Sequence, residues 1–244
     1  MIAKSTTESV SSEISNALAR KNASRVGFWS AVVTTTLAAA FFVIGILTPA
    51  RSGPFCTSSC IPYPYETVLA SFVPSDYIWL YPGLLLAPIF VVLLVSIHHT
   101  APPEKKIFSQ IGISFALIYA STIMIDYFVQ FVVVAPSITS GQTSGLSLFT
   151  QYNPHGFFIG LEGLAYLMMS ASFLSIAPVF AGGKLQSSIR WLFVGSFVLV
   201  ISAFIAFSLL KYDIVAFEVT VLTINWIVLI ASGSLLAVLF KRSR

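Results

Sequence analysis

The chain has 244 residues, of which 57% are hydrophobic and only 9% charged, with a net charge of +4 and a mean hydropathy of +0.90. Too little polar surface remains to cover a soluble globule of this length, so the composition admits a polytopic membrane protein. The positive charge collects at the ends and in the connections, where it reports orientation and attraction to anionic headgroups rather than nucleic-acid binding.

Residues 1–25 are polar and rich in Ser and Thr, with Val10, Ile14, Ala17 and Leu18 at helical spacing and Arg20, Lys21 and Arg25 behind them. This segment is expected either as a short amphipathic helix on the inner leaflet or as an unstructured tail. A single transmembrane domain, 26–244, follows it. Six apolar stretches, 26–49, 78–97, 107–135, 157–181, 189–210 and 214–240, are each long enough to cross ~30 Å of hydrocarbon at ~1.5 Å per residue. The expected fold is all-α, a bundle of six transmembrane helices. The first stretch exceeds the ~7–15 apolar residues of a signal peptide and has a long leader, so a retained helix is expected.

Six crossings alternate the connections between two compartments. With a cytoplasmic N-terminus, that side collects Lys4, Arg20, Lys21, Arg25, Lys105, Lys106, Lys184, Arg190, Lys241, Arg242 and Arg244, and the other side only Arg51 and Lys211. The positive-inside rule then puts both termini in the cytoplasm.

Cys56 and Cys60 both fall in the first extracytoplasmic loop, a compartment that permits disulfides. A structural disulfide pinning the loop is favoured over two free thiols. A redox pair would need a second pair for relay and a Cys-x-x-Cys spacing, and the chain has neither. The Pro- and aromatic-rich residues 62–81 read as a loop lying against the headgroups. Residues 136–154 carry no charge and are rich in Ser, Thr and Gly, and are expected as a mobile outer loop. Polar residues do not recur at matching positions in the two halves, so an inverted repeat finds no support.

Three acids lie inside apolar stretches: Asp126 in the third, Glu162 in the fourth and Glu218 in the sixth. Counted from the outer ends they are on the order of 15, 9 and 8 Å deep at the helical rise. A lipid-facing carboxylate costs roughly 2.5–3.5 kcal/mol on the lenient insertion scale, so three at similar depth point inward. Each belongs to a stripe at helical spacing: Tyr119, Thr122, Asp126 and Gln130; His155, Glu162, Tyr166 and Ser170; Glu218, Asn225 and Ser232. The third, fourth and sixth helices are thus expected to face one polar cavity, with the fifth further away. Gly156, Gly160 and Gly163 would let the fourth approach its neighbours closely.

The cavity's expected members are Asp126, Glu162 and Glu218, with Tyr119, Gln130, Tyr166 and Asn225 as neutral partners and His155 near the entrance. Arg51 and Lys211 are the candidate counterions. Two rim cations cannot neutralise three carboxylates, which favours a protonated acid or a bound cation over purely structural pairing. Asn153 and Pro154 suit the start of the fourth helix. His155 reads either as an interfacial side chain bonded to the outer loop or as a proton relay. It is the one histidine on the outer side, so no metal centre is expected. No cofactor motif or Schiff-base lysine appears, so no cofactor is expected.

Residues 151–170 (QYNPHGFFIGLEGLAYLMMS) and 177–180 (APVF) resemble a segment of prokaryotic multi-pass membrane proteins of uncharacterised activity. The resemblance implies a prokaryotic cytoplasmic (inner) membrane and brings no activity with it. The expected function is binding of a small cationic or amine-bearing amphiphile, or a cation, for transport or sensing. The alternatives are an embedded enzyme using paired carboxylates on a lipid-like substrate, and a structural or accessory subunit. Membrane lipids are the expected partners, with a homo-oligomer or a partner subunit left open.

Overall fold

The computed structural model describes residues 2–53, 55–58, 60–65, 69–209 and 214–243, with side chains from residue 17 onward except that of residue 215. Val10, Ile14, Lys4 and Lys211 therefore lie outside the described side chains. The apolar runs form helices α1 (Ile2–Leu47), α2 (Leu80–Thr100), α3 (Lys106–Val129), α5 (Phe157–Ile176), α6 (Lys184–Leu209) and α7 (Ile214–Arg242), and the short α4 (Ala135–Thr139) extends α3. Six of these are long and apolar enough to cross a membrane. The shortest such segment has 23 residues, or about 34 Å at the helical rise, against a hydrocarbon core of ~30 Å.

Between α3 and α4 the chain widens into a π turn, Gln130–Val134. Pro136 offers no N–H and its ring crowds the carbonyl four residues back, and the wider turn just before it absorbs that break.

Packing follows chain order around a ring. Helix α1 lies between α2 and α7, α2 touches α3, α3 packs along α5, and α5 and α7 meet each other as well as α6. The α5–α7 contact leaves α6 outside, and it is the least buried of the six spans. Its position follows from its sequence, which offers mainly Ser196, Ser202 and Ser208 as polar content. Small residues set the closest approaches. A Cβ on Gly112 would come within 2.3 Å of Ile176, and the Gly112 carbonyl accepts Ser172 Oγ–H at 2.7 Å, joining α3 to α5. Large apolar side chains such as Leu117, Ile125, Phe128, Val198 and Leu199 face outward, as a bilayer requires.

The two ends of the bundle differ in charge. At one end Thr100, Phe180, Gln186 and Phe240 line a small shared pocket, and Ser243 Oγ meets Ser24 Oγ at 3.4 Å. The α2–α3 turn, the α5–α6 turn and the end of α7 thus come together there. Arg20, Lys21, Arg25, Lys105, Lys106, Lys184, Arg190, Lys241 and Arg242 all belong to elements at or near that end. The other end carries the long connections, Arg51 and the Cys56–Cys60 disulfide, whose Cα atoms are 5.8 Å apart.

Candidate functional site

The long connections at the second end are laced by polar side chains. Arg51 donates from Nε to Asp76 Oδ2 at 2.9 Å and from its terminal nitrogen to Oδ1 at 3.3 Å, with its guanidinium 4.1 Å above the Phe72 ring. Tyr152 Oη–H also donates to Asp76, at 3.3 Å. Gln151 Nε2–H donates to the Asp76 carbonyl at 3.1 Å and its Oε1 accepts Trp79 Nε1–H at 3.1 Å. Ser52 Oγ–H donates to the Tyr152 carbonyl. The bond to Asp76 holds the Arg51 guanidinium even more firmly protonated than usual. Burial first, and then the neighbouring Tyr77 and the Asp76 carboxylate, push the Tyr152 phenol up, so it stays a donor. Arg51 is therefore committed to Asp76, which corrects its expected role as counterion to the intramembrane acids.

Beneath this cap lies a cavity of about 470 Å³ bounded by the ends of α1, α5 and α7 and by the connections. Glu162 and Glu218 both line it, with Trp79, Phe158 and Trp226 as aromatic walls. Glu162 is only 1% exposed. Its Oε1 accepts the Tyr127 hydroxyl, and its Oε2 finds no donor among the described residues. Glu218 and Asp126 are both within electrostatic reach of it. The Tyr127 ring is held against Phe158 at 5.8 Å and edge-on to Trp79 at 5.8 Å. Gly83 makes room for it: a Cβ there would lie 2.5 Å from the Tyr127 ring and 3.1 Å from Phe41.

The expected site residues divide into groups. Glu162 and Glu218 face the cavity together, whereas Asp126, Tyr119, Gln130, Tyr166, Asn225 and His155 are not on its wall. Asp126 is buried, with Oδ2 lacking a donor among the described residues. Tyr119 and Tyr166 are buried with ring centroids 6.2 Å apart, and the Tyr166 hydroxyl accepts Trp226 Nε1–H at 3.2 Å. Asn225 Nδ2–H bonds the Val221 carbonyl at 2.9 Å. Gln130 serves the loop: it donates to the Phe149 carbonyl at 2.7 Å and accepts Gln151 N–H at 3.3 Å. His155 has an exposed side chain, and only its backbone N–H bonds Asn153, at 2.9 Å. Asn153 holds a turn ahead of α5, whose N-cap is Gly156. Of the three glycines, Gly156 and Gly163 lie against neighbours and Gly160 faces open space.

Tyr127, Trp79, Trp226 and Asp76 carry roles that polar stripes do not reveal. Aromatic side chains inside apolar runs give no local signal of a cavity. Among the described residues no three His, Cys, Asp or Glu side chains cluster as a metal site. Comparison of the chain with protein-family models, with characterised proteins and with solved structures gave no match.

Proposed function

We propose that this cavity binds a small ammonium-bearing cation, for transport or sensing across the membrane. The observation that carries this reading is the pair Glu162 and Glu218, from two different helices, on one cavity whose wall cation, Arg51, is held by Asp76. One Glu162 oxygen finds no donor among the described residues, which leaves it an acceptor to offer a ligand. Aromatic faces beside carboxylates suit a cation, each contributing roughly 0.5–1 kcal/mol where exposed and about 2 kcal/mol when desolvated. An anion would face two carboxylates, with the Arg51 guanidinium already engaged by Asp76.

A direct test is binding of tetramethylammonium to purified protein in nanodiscs, read by the fluorescence of Trp79 and Trp226. Glu162→Gln and Glu218→Gln keep shape and remove charge, so each is expected to weaken binding at least about tenfold with helicity unchanged. Acidification should act in the same direction, because a protonated carboxyl no longer attracts the cation. Wild-type affinity in both variants would overturn the reading. Embedded acid–base catalysis is the second reading, favoured by the unequal surroundings of the two carboxyls: Glu162 is buried and bonded to Tyr127, whereas Glu218 is half-buried. It predicts product formation without net flux.

In this reading the cavity end faces away from the cytoplasm, supported by the basic residues at the opposite end and by the disulfide at this one. Cys56 and Cys60 are expected to resist alkylation until reduced. In intact cells an impermeant reductant followed by an impermeant maleimide should then label both. Labelling only after the membrane is opened would reverse the orientation.

A further inference from the structure

Resting on the cation reading above, we infer that the ligand is a single-chain alkylammonium amphiphile that enters sideways from the bilayer between α1 and α7. Access along the bundle axis is narrowed by polar ties among the described residues. Ser52 is tied to Tyr152, Arg51 to Asp76 and Gln151 to both Asp76 and Trp79, so the connection leading from α1 is stitched across the cavity to the connection leading into α5.

The side is different. Ile46 on α1 and Val219 on α7 both line the cavity, yet they are 65% and 42% exposed. Both lie near the ends of their spans, Ala17–Leu47 and Ala216–Arg242, at the depth where headgroups give way to hydrocarbon. Further in, the gap closes: a Cβ on Gly45 would sit 3.3 Å from Trp226, and the Phe42 ring packs edge-on to Trp226 at 5.3 Å. The mouth between the helices is apolar and the acids lie inside it. From Glu218 to Trp226 the cavity follows α7 for on the order of 12 Å at the helical rise.

These features fit one chemistry. An ammonium head reaches Glu162 and Glu218 while an alkyl chain lies over Ile46, Val219 and Leu222 and runs out into the acyl layer. A short hydrophilic amine uses only the first half of this site. An anionic amphiphile uses only the second.

Dodecyltrimethylammonium, tetramethylammonium and dodecyl sulfate can be compared by tryptophan fluorescence in protein-loaded nanodiscs, after subtracting partition into empty ones. The expected result is that the dodecyl cation binds at least tenfold more tightly than tetramethylammonium and that dodecyl sulfate gives no saturable signal. In Val219→Trp, which fills the mouth, the ratio between the two cations should fall toward one. If tetramethylammonium binds in a Glu162-dependent way but the dodecyl chain adds nothing, the lateral entry is wrong and the cation site stands. If the dodecyl cation and dodecyl sulfate bind alike and Glu162→Gln changes neither, the signal is apolar adsorption and both readings fall.

Discussion

Replacing Asp76 with Ala is expected to destabilise the protein by roughly 1–3 kcal/mol, the range for leaving partly buried donors without their acceptor. Asp76 has only 4% of its side chain exposed and Arg51 18%, so neither regains full hydration when the other is removed. The carboxylate accepts from Arg51 twice and from Tyr152, and its loss leaves a guanidinium and a phenol without their acceptor. Asp76→Asn retains an acceptor and should cost less. The double change Arg51→Met with Asp76→Leu removes both desolvation costs, so its destabilisation should fall well short of the sum of the single changes. Thermal unfolding in detergent, with the four proteins treated as a cycle, measures this. A midpoint for Asp76→Ala indistinguishable from wild type would mean the cap contributes nothing to stability.

The spans were legible because length and hydropathy are local properties of a segment, and the six helices follow them within a few residues at most ends. Lipid contact also made α6 recognisable, since a helix with only scattered serines has nothing to offer an interior. The site was legible as a list of acids but not as a geometry. Drawing the α3 stripe through polar letters found the buried Tyr119, Asp126 and Gln130 but added the half-buried Thr122 and passed over Tyr127, which shares the buried face with Ala116, Tyr119, Ile123 and Asp126. From that face it is Tyr127 that bonds Glu162, while Asp126, buried beside it, is not on the cavity wall. Arg51 and Asp76 are 25 residues apart on a connection without periodicity, so nothing in their spacing foretold the pairing. Without that pairing, Arg51 reads as the natural counterion to the acids.

Because Tyr127 must sit where it does, Gly83 becomes a lever on the cavity from a helix whose own residues carry no charge near Glu162. Gly83→Ala puts a methyl 2.5 Å from the Tyr127 ring and 3.1 Å from Phe41, closer than carbon atoms pack. The ring cannot yield freely, being stacked on Phe158 and wedged against Trp79 and Phe41. Overpacking of this kind costs roughly 1–3 kcal/mol, against a gain of up to ~1 kcal/mol from replacing a mid-helix glycine by alanine. Displacing the ring also strips the hydroxyl from Glu162 Oε1, leaving both oxygens of that carboxyl without a donor among the described residues. Gly83→Ala should therefore unfold at lower temperature and bind tetramethylammonium with altered affinity. Gly160→Ala, on α5 with nothing within 4 Å of the added carbon, should be neutral or slightly stabilising and leave binding unchanged. The two variants differ by the same single methyl on neighbouring parts of the bundle, so unfolding and titration in parallel isolate the effect of the Tyr127 contact. Equal behaviour of the two would show that the α2–α3 packing has slack and that Tyr127 does not depend on Gly83 for its position.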